Sequence, residues 1–148
     1  MIKVGTAGII GHETAAMLRR EHSKELEKRF SARFMKGFDS LAEAEKPGSF
    51  SFEGCVYAAP IKAGGIFGAL WQALEGVEDR CIIKPAGCRI CLDQIPIRQE
   101  ITEICELYDE NPYEIASSDA YIVIWDEDQL RNDELPDWIT PIGSVIRS

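Results

Sequence analysis

A double glycine beside a lysine is the first place in the sequence where residue types and spacing could bind a ligand. Gly64 and Gly65 open a predicted helix over residues 63–74, and Lys62 stands two positions before Gly64. Backbone N–H groups at a helix start attract anions, and a lysine ammonium group adds positive charge. Small residues also let a helix approach a strand closely. The pattern therefore leaves two interpretations open, an anion site and a close packing contact.

Three of the five cysteines are near enough in sequence to suggest a metal site. Cys88 and Cys91 have a spacing typical of zinc ligands, and Cys81 precedes them. Residues at i and i+3 of a strand point to opposite faces, however, and this segment is predicted to be a strand. A second cysteine pair is missing, and the motif does not open a helix as redox motifs do. We therefore predict no metal site and reduced thiols, with Cys105 packed in the core.

The remaining polar candidates favour structural roles. His12 and His22 do not form the H-E-x-x-H pattern of zinc enzymes. The acidic run 126–128 could hold a cation, but an acidic helix start is ordinary capping chemistry. Ser117 and Ser118 have no histidine and aspartate partners nearby in sequence, so a nucleophilic role would depend on tertiary structure. No catalytic residue and no cofactor are assigned from the sequence.

Hydrophobic periodicity places these candidates among both helices and strands. Helices are expected at residues 12–30, 32–45, 63–74 and 98–108, and a last surface helix is expected to start at 126. Strands are expected at 2–4, 53–59, 81–84, 88–92, 120–125 and 138–146, the last bent at Pro141. Because strands and helices do not alternate strictly, the predicted class is α+β.

Two of the helices carry clear apolar stripes, which are expected to face the core. The stripe of helix 63–74 consists of Ile66, Phe67, Leu70, Trp71 and Leu74. The stripe of helix 98–108 consists of Ile97, Ile101, Ile104, Cys105 and Tyr108. The pair 75–76 is expected to end the first of these helices, and the Lys-Pro-Gly run 46–48 to end helix 32–45. Helix 12–30 has a thin stripe and is expected to be well exposed.

Size and charge limit the classes of partner. A chain of 148 residues suits one domain, 1–148, with a single core, and 45% hydrophobic with 28% charged residues argues against disorder. The net charge of -9 disfavours nucleic acid and anionic membrane surfaces as partners. No apolar run approaches the roughly 20 residues of a membrane helix, and no apolar segment typical of a signal peptide follows the first residues. We therefore expect a cytoplasmic protein.

Three segments together resemble motifs of the AIR synthase-related family. Residues 63–70, AGGIFGAL, are similar to its EGGxxGAL helix, and residues 93–98, DQIPIR, to its D-x-I-P-[IV]-R turn. Residues 111–118, NPYEIASS, resemble its x-P-x-x-x-x-S-S-G segment, and residues 4–11 its opening strand and turn. The family includes the aminoimidazole ribonucleotide synthase of purine biosynthesis and the dehydratase of nickel-iron hydrogenase maturation. The resemblance covers nearly the whole chain.

The resemblance implies the C-terminal half of a two-domain architecture, a mixed sheet with helices packed on one face. Relatives bind ATP and magnesium through an N-terminal domain, which is expected to be absent from this chain. The substrate-side motif, His-Asp-x-Thr-Glu-Gly-Gly in relatives, has Ala59, Pro60, Lys62 and Ala63 at its four polar positions. The Ser-Ser-Gly end reads Ser-Ser-Asp here. By this comparison the candidate positions for a small anionic ligand are Lys62, Gly64, Gly65, Ser117 and Ser118.

Two functions from different classes follow. The first is a domain without catalysis that acts as a binding or regulatory module and self-associates as a homodimer, since apolar surface would be exposed where the missing half packs. The second is the substrate-side subunit of a split ATP-dependent synthase or dehydratase, with ATP binding supplied by a separate partner chain. The altered motif favours the first. A third interpretation, a fragment of a longer protein, stays open.

Overall fold

Extended runs rich in β-branched residues pair into one sheet in a computed structural model, which describes residues 1–43, 54–80, 82–117 and 119–148. The strands are β1 (Ile2–Ala7), β2 (Cys55–Pro60), β3 (Ala86–Ile90), β4 (Tyr121–Asp126) and β5 (Ile139–Arg147). The helices are α1 (His12–Glu21), α2 (Ser23–Arg29), α3 (Ala32–Ser40), α4 (Gly65–Asp79) and α5 (Gln99–Leu107). Short 3-10 turns cover Leu41–Glu43, Leu92–Gln94 and Asn132–Glu134.

The five strands lie in the order β2–β4–β1–β5–β3. All four pairings are antiparallel, so the expectation of a mixed sheet is wrong. The predicted α+β class is confirmed. The register between β1 and β5 shifts at Val4 and Gly5, opposite Pro141, where a bend was predicted. Proline cannot donate a ladder hydrogen bond, which is why it occurs at such irregularities.

One face of the sheet is covered by α4. Val4, Ile122 and Ile124 on the strands are fully buried, and they belong to one cluster with Ile66 and Val77 of the helix. Burial of each such aliphatic side chain contributes about 1.5–3 kcal/mol. This layer of sheet and helix therefore forms the main core of the protein.

The opposite face is covered by an irregular segment between β4 and β5. Val123 and Trp125 are fully buried there, packed against Leu130, Leu135 and other side chains of that segment. The predicted surface helix from residue 126 is wrong. Asp126 still belongs to β4, and its side chain accepts a hydrogen bond from the backbone N–H of Asp128 at 2.9 Å, which stabilises a turn.

Four helices, α1, α2, α3 and α5, form a second cluster beside this layer. The predicted stripe of α5 is confirmed, because Ile101, Ile104 and Cys105 are fully buried. The single helix expected at 12–30 is wrong: it is broken at His22, whose backbone leaves helical geometry at φ -120° and ψ 30°. The His22 ring stacks on Tyr108 at 4.2 Å between centroids, and this contact occupies the break.

The length of α4 differs from the prediction, because the Glu-Gly pair at 75–76 does not end it and the helix continues to Asp79. Gly76 lies against the ring of Tyr57, where a Cβ atom would come within 2.5 Å of a ring carbon. The glycine therefore allows close packing on the sheet rather than a helix stop. The predicted stripe is also wrong in part, since Phe67 is 47% and Trp71 68% exposed.

The other differences are local. Residues 82–85 are bends, so the strand expected at 81–84 is wrong, and the strand expected at 88–92 is β3, which starts and ends two residues earlier. Helix α3 ends at Ser40 rather than 45 and is followed by a 3-10 turn. Glu53, the Lys-Pro-Gly run 46–48, Cys81 and Ser118 lie outside the described residues. Over the described ranges, every helix is too short or too polar to cross a bilayer.

Candidate functional site

Three connecting segments meet near the N-terminal ends of α1 and α4. They are the turn after β1, the turn between β2 and α4, and residues 113–117 with 119–120. Gly8 in the first turn is packed so closely that a Cβ atom would lie 2.5 Å from the carbonyl oxygen of Asp119. A cavity of about 490 Å³ opens between them, lined by Glu13, Pro60, Lys62, Ala63, Ala116, Ser117, Asp119, Ala120 and Tyr121. Two of the predicted site residues, Lys62 and Ser117, therefore line one cavity.

The double glycine lies beside this cavity and makes the close packing contact. Both residues have left-handed backbones, with φ of 101° at Gly64 and 65° at Gly65. A Cβ atom on Gly65 would overlap the carbonyl oxygen of Tyr113 and lie 2.6 Å from two backbone atoms of Glu114. The contact with residues 113–114 therefore requires glycine at position 65.

The backbone N–H groups at this helix start are partly committed. The N–H of Gly65 donates to the carbonyl of Lys62 at 2.9 Å, and that of Ile66 donates to the carbonyl of Tyr113 at 2.9 Å. An anion bound here would have fewer donors than an open helix start offers, because these two amides already have acceptors. Of the two interpretations from sequence, the geometry favours close packing for Gly65.

The charge of the cavity is mixed. Lys62 is exposed and contributes one ammonium group, while Glu13 and Asp119 contribute two carboxylates to the same lining. Carboxylates repel a bound anion, and the effect is stronger for an anion with several charges. The cavity therefore differs from a phosphate pocket, where positive charges and free amides converge.

Ser117 connects all three segments. Its buried side-chain oxygen accepts a hydrogen bond from the backbone N–H of Gly11 at 2.6 Å, and its own N–H donates to Ile61 at 3.0 Å. The Ile61 N–H donates to the carbonyl of Ala120 at 2.9 Å, so the β2 end and residues 117–120 are joined in both directions. Ser117 is thus a structural residue in this geometry.

Neither His12 nor His22, both of which the structure describes, lines this cavity. His12 is buried, and its ring lies 5.9 Å from that of Phe38. His22 stacks on Tyr108 in the helical cluster. The buried Ser117 hydroxyl is occupied by its hydrogen bond with the Gly11 N–H, so we assign it no nucleophilic role.

The structure also locates Cys88, Cys91 and the acidic run 126–128, which the sequence had suggested as possible metal ligands. Cys88 is on β3 and half-buried, with the pKa of its thiol raised by burial, while Cys91 follows the strand and is exposed. Over the described parts of the chain, no group of three His, Cys, Asp or Glu side chains converges. In the acidic run, Glu127 pairs with Lys3 at 3.3 Å and Asp128 with the N-terminal amine at 3.9 Å. Its carboxylates therefore serve turns and ion pairs.

A second cavity was not predicted from the sequence. It has a volume of about 280 Å³, and it is lined by Gly8, Ile9, Pro96, Ile97, Arg98, Asp137, Trp138 and Thr140. The DQIPIR segment that carries the family resemblance supplies Arg98, and the segment before β5 supplies Asp137. In the sequence, only the DQIPIR motif indicated a site at this cavity. Residues 137–140 carry no pattern that would have linked them to that motif.

Comparison with known proteins reveals relatives only at the level of structure, since no family model and no curated protein matches the sequence. The chain aligns with HypE in a HypE-HypF complex at TM-score 0.63 and 18% identity, covering 99% of this chain and 47% of that one. It aligns with the hydrogenase maturation protein HypE in complex with ATP at TM-score 0.62 and 16% identity, covering 99% and 42%. Thiamine monophosphate kinase from Aquifex aeolicus follows at 0.57 and 15%, covering 99% and 48%.

These similarities establish the fold. The chain has the fold of an AIR synthase-related C-terminal-type domain, so the resemblance seen in the three motifs is confirmed at this level. It spans less than half the length of the solved structures that it matches. Identities of 15–18% carry no residue roles from those proteins to this one.

Proposed function

We propose that this chain is an AIR synthase-related C-terminal-type domain that acts as a binding or regulatory module, self-associates, and performs no ATP-dependent chemistry by itself. The observation that carries this proposal is that polar groups around the cavity of about 490 Å³ are already hydrogen-bonded within the chain. Ser117 is committed to Gly11, and the amides of Gly65 and Ile66 are committed to backbone carbonyls. Catalysis requires polar groups aimed at a reacting atom, whereas these stabilise the fold.

The ligand-binding part of the proposal is a small anionic ligand held by the Lys62 ammonium group beside Gly64, while Gly65 and Ser117 shape the site through packing and hydrogen bonding. Ser118 stays a candidate from the sequence. Glu13 and Asp119 share the lining with Lys62, so an anion with one charge is favoured over one with several, such as ATP. A single carboxylate is therefore the anion that this lining is expected to repel least. We place the protein in the cytoplasm, where its thiols are expected to be reduced.

Isothermal titration of the purified chain with ATP and magnesium tests the proposal, with its mass measured by light scattering. We expect no saturable heat and the mass of a dimer. Saturable ATP binding, retained when Lys62→Ala is titrated in parallel, would refute the absence of nucleotide chemistry and direct attention to another site.

The second candidate is the substrate-side subunit of a split ATP-dependent synthase or dehydratase. The observation that favours it is the fold match to a HypE structure with ATP, of which this chain covers only 42%. A separate ATP-binding chain would supply the remaining part. This alternative predicts that the isolated chain binds no ATP, and that a stable complex with a nucleotide-binding chain does. A catalytically active complex would make it the better description.

A further inference from the structure

The side of α4 that faces away from the sheet carries two large aromatic side chains that are exposed. We call it the outer face and define it as Phe67, Gly68, Trp71 and Glu75, which share one side of the helix by i, i+3, i+4 spacing, together with the N-cap residue Gly64 at the start of the helix. Phe67 is 47% and Trp71 68% exposed, and Gly64, Gly68 and Glu75 are exposed as well. Large exposed aromatic side chains at adjacent turns of one helix are typical of an interaction surface.

Packing within one chain does not account for the glycine in the middle of this face. A Cβ atom on Gly68 would meet nothing within 4 Å, in contrast to Gly65 and Gly76 on the same helix. Glycine in a helix interior is unfavourable relative to alanine, so its use at an open position needs another reason. A small residue beside exposed aromatic side chains allows a second surface to approach the helix closely.

The tryptophan side chain is oriented toward such a contact. Its indole Nε1 donates a hydrogen bond to Oε1 of Glu75 at 2.8 Å. The Phe67 ring makes a loose contact with Tyr113, at 6.5 Å between centroids. The outer face therefore presents a fixed projection, Trp71, one to two turns from the depression at Gly64 and Gly68.

The projection and the depression of the outer face are complementary to the same features on a second copy of the chain. If a second copy crosses α4 in the antiparallel direction at Gly68, Trp71 of each copy lies over Gly64 of the other. The same crossing brings Glu75 of each copy to the start of α4 in the other, where Lys62 lies two residues before the N-cap Gly64. A two-fold interface of this kind repeats each contact twice, so shape and charge are matched together.

We infer that the outer face of α4 is the self-association surface of this protein, and that its occupant is a second copy of the same chain. The inference rests on the self-association in the proposed function and assigns it to named residues. Lys62 and Glu75 cannot pair within one copy, since the ten helical residues from Gly65 to Glu75 span about 15 Å. A Lys62–Glu75 contact is therefore a specific mark of the paired state.

Charge reversal provides the sharpest test, measured as the dimer Kd by sedimentation equilibrium. Lys62→Glu and Glu75→Lys are each expected to raise Kd about tenfold, because two symmetric attractions become repulsions. The double variant K62E/E75K restores the attraction and should return Kd to within about threefold of the natural chain. Lys28→Glu, at an exposed position on α2, changes net charge as Lys62→Glu does and should leave Kd nearly unchanged.

Two further variants test the shape of the surface. Trp71→Ala should raise Kd about thirtyfold or more, as expected of a central tryptophan. Gly68→Ala fills the depression, so it should raise Kd about tenfold while raising the Tm of the dilute monomer. Opposite effects on association and on monomer stability separate a contact role from a folding role. Far-UV circular dichroism confirms that each variant is folded.

The outcomes distinguish the surface from the broader proposal. A dimer whose Kd is unchanged in Trp71→Ala and in both charge variants refutes the outer face but leaves self-association standing. A natural chain that stays monomeric at the highest concentrations refutes both. Saturable ATP binding with the expected pattern of Kd values refutes the proposed lack of nucleotide chemistry and supports the surface.

Discussion

Replacement of Gly65 by alanine separates the two interpretations of the double glycine. At φ 65° an alanine side chain costs about 1–2 kcal/mol relative to an ordinary helical backbone. The new Cβ would also overlap the carbonyl oxygen of Tyr113 and lie 2.6 Å from the Cα and C atoms of Glu114. These are backbone atoms, so they cannot swing aside as a flexible side chain does.

The expected loss follows from these contacts. Displacement of the 113–114 backbone adds an overpacking cost of about 1–3 kcal/mol. The smaller entropy of the unfolded alanine chain returns about 0.4–1 kcal/mol. We therefore expect Gly65→Ala to lose about 1–5 kcal/mol, the middle of which lowers Tm by roughly 10 °C in a domain of this size. The hydrogen bond from Ile66 to Tyr113 at 2.9 Å is lost or lengthened in the same change.

Urea denaturation followed by circular dichroism and tryptophan fluorescence measures this free energy of unfolding. Gly68→Ala, three residues along the same helix and in open space within one copy, is the matched control. At concentrations low enough to keep the chain monomeric, it should gain about 0.5–1 kcal/mol. Equal stability of the two variants would refute the packing argument. If Gly65→Ala instead kept its stability and weakened binding of a small anion, the anion interpretation would be the correct one.

Two further predictions concern buried polar groups. Ser117→Ala leaves the buried N–H of Gly11 without its acceptor and should cost about 1–3 kcal/mol in urea denaturation, whereas the exposed Ser40→Ala should cost under about 0.5; equal losses would contradict the assigned role of Ser117. Burial, with a smaller contribution from Glu110, raises the pKa of the Cys105 thiol from 9.0 to about 11. The folded state therefore holds this proton to a higher pH than the unfolded chain does. The protonated Cys105 thiol contributes fully to the free energy of unfolding below pH 9, and this contribution is lost as the pH rises toward 11. Cys105→Ala should flatten that part of the stability curve, and a curve identical to that of the natural chain would show that another group controls it.

Several elements could be predicted because their residues carry a strong local signal. β4 is a run of β-branched and aromatic residues, and it forms an interior strand one residue later than expected. The stripe of α5 follows the helical period and is buried as predicted. In both elements local propensity and tertiary packing agree, so the sequence pattern alone is sufficient.

The errors occur where a local signal and tertiary packing disagree. Gly76 is a helix stop by its sequence context, but its lack of a side chain is used against the Tyr57 ring. Trp71 has the spacing of a core residue, yet alanines 69 and 73 occupy the buried face because α4 lies close to the sheet. Hydrophobic periodicity measures an apolar stripe and does not reveal which side of a wide stripe meets the sheet.

The sequence by itself determined the α+β class, the main strands and helices, and the motifs that identify the fold. These depend on local propensity, on periodicity and on glycine or proline at turns, all of which act within a few residues. The tertiary structure alone decided that Ser117 accepts from Gly11, that carboxylates share the cavity with Lys62, and that Trp71 is exposed. Each of these depends on segments far apart in the chain, such as 11 with 117, and single-sequence patterns carry no information on such pairings.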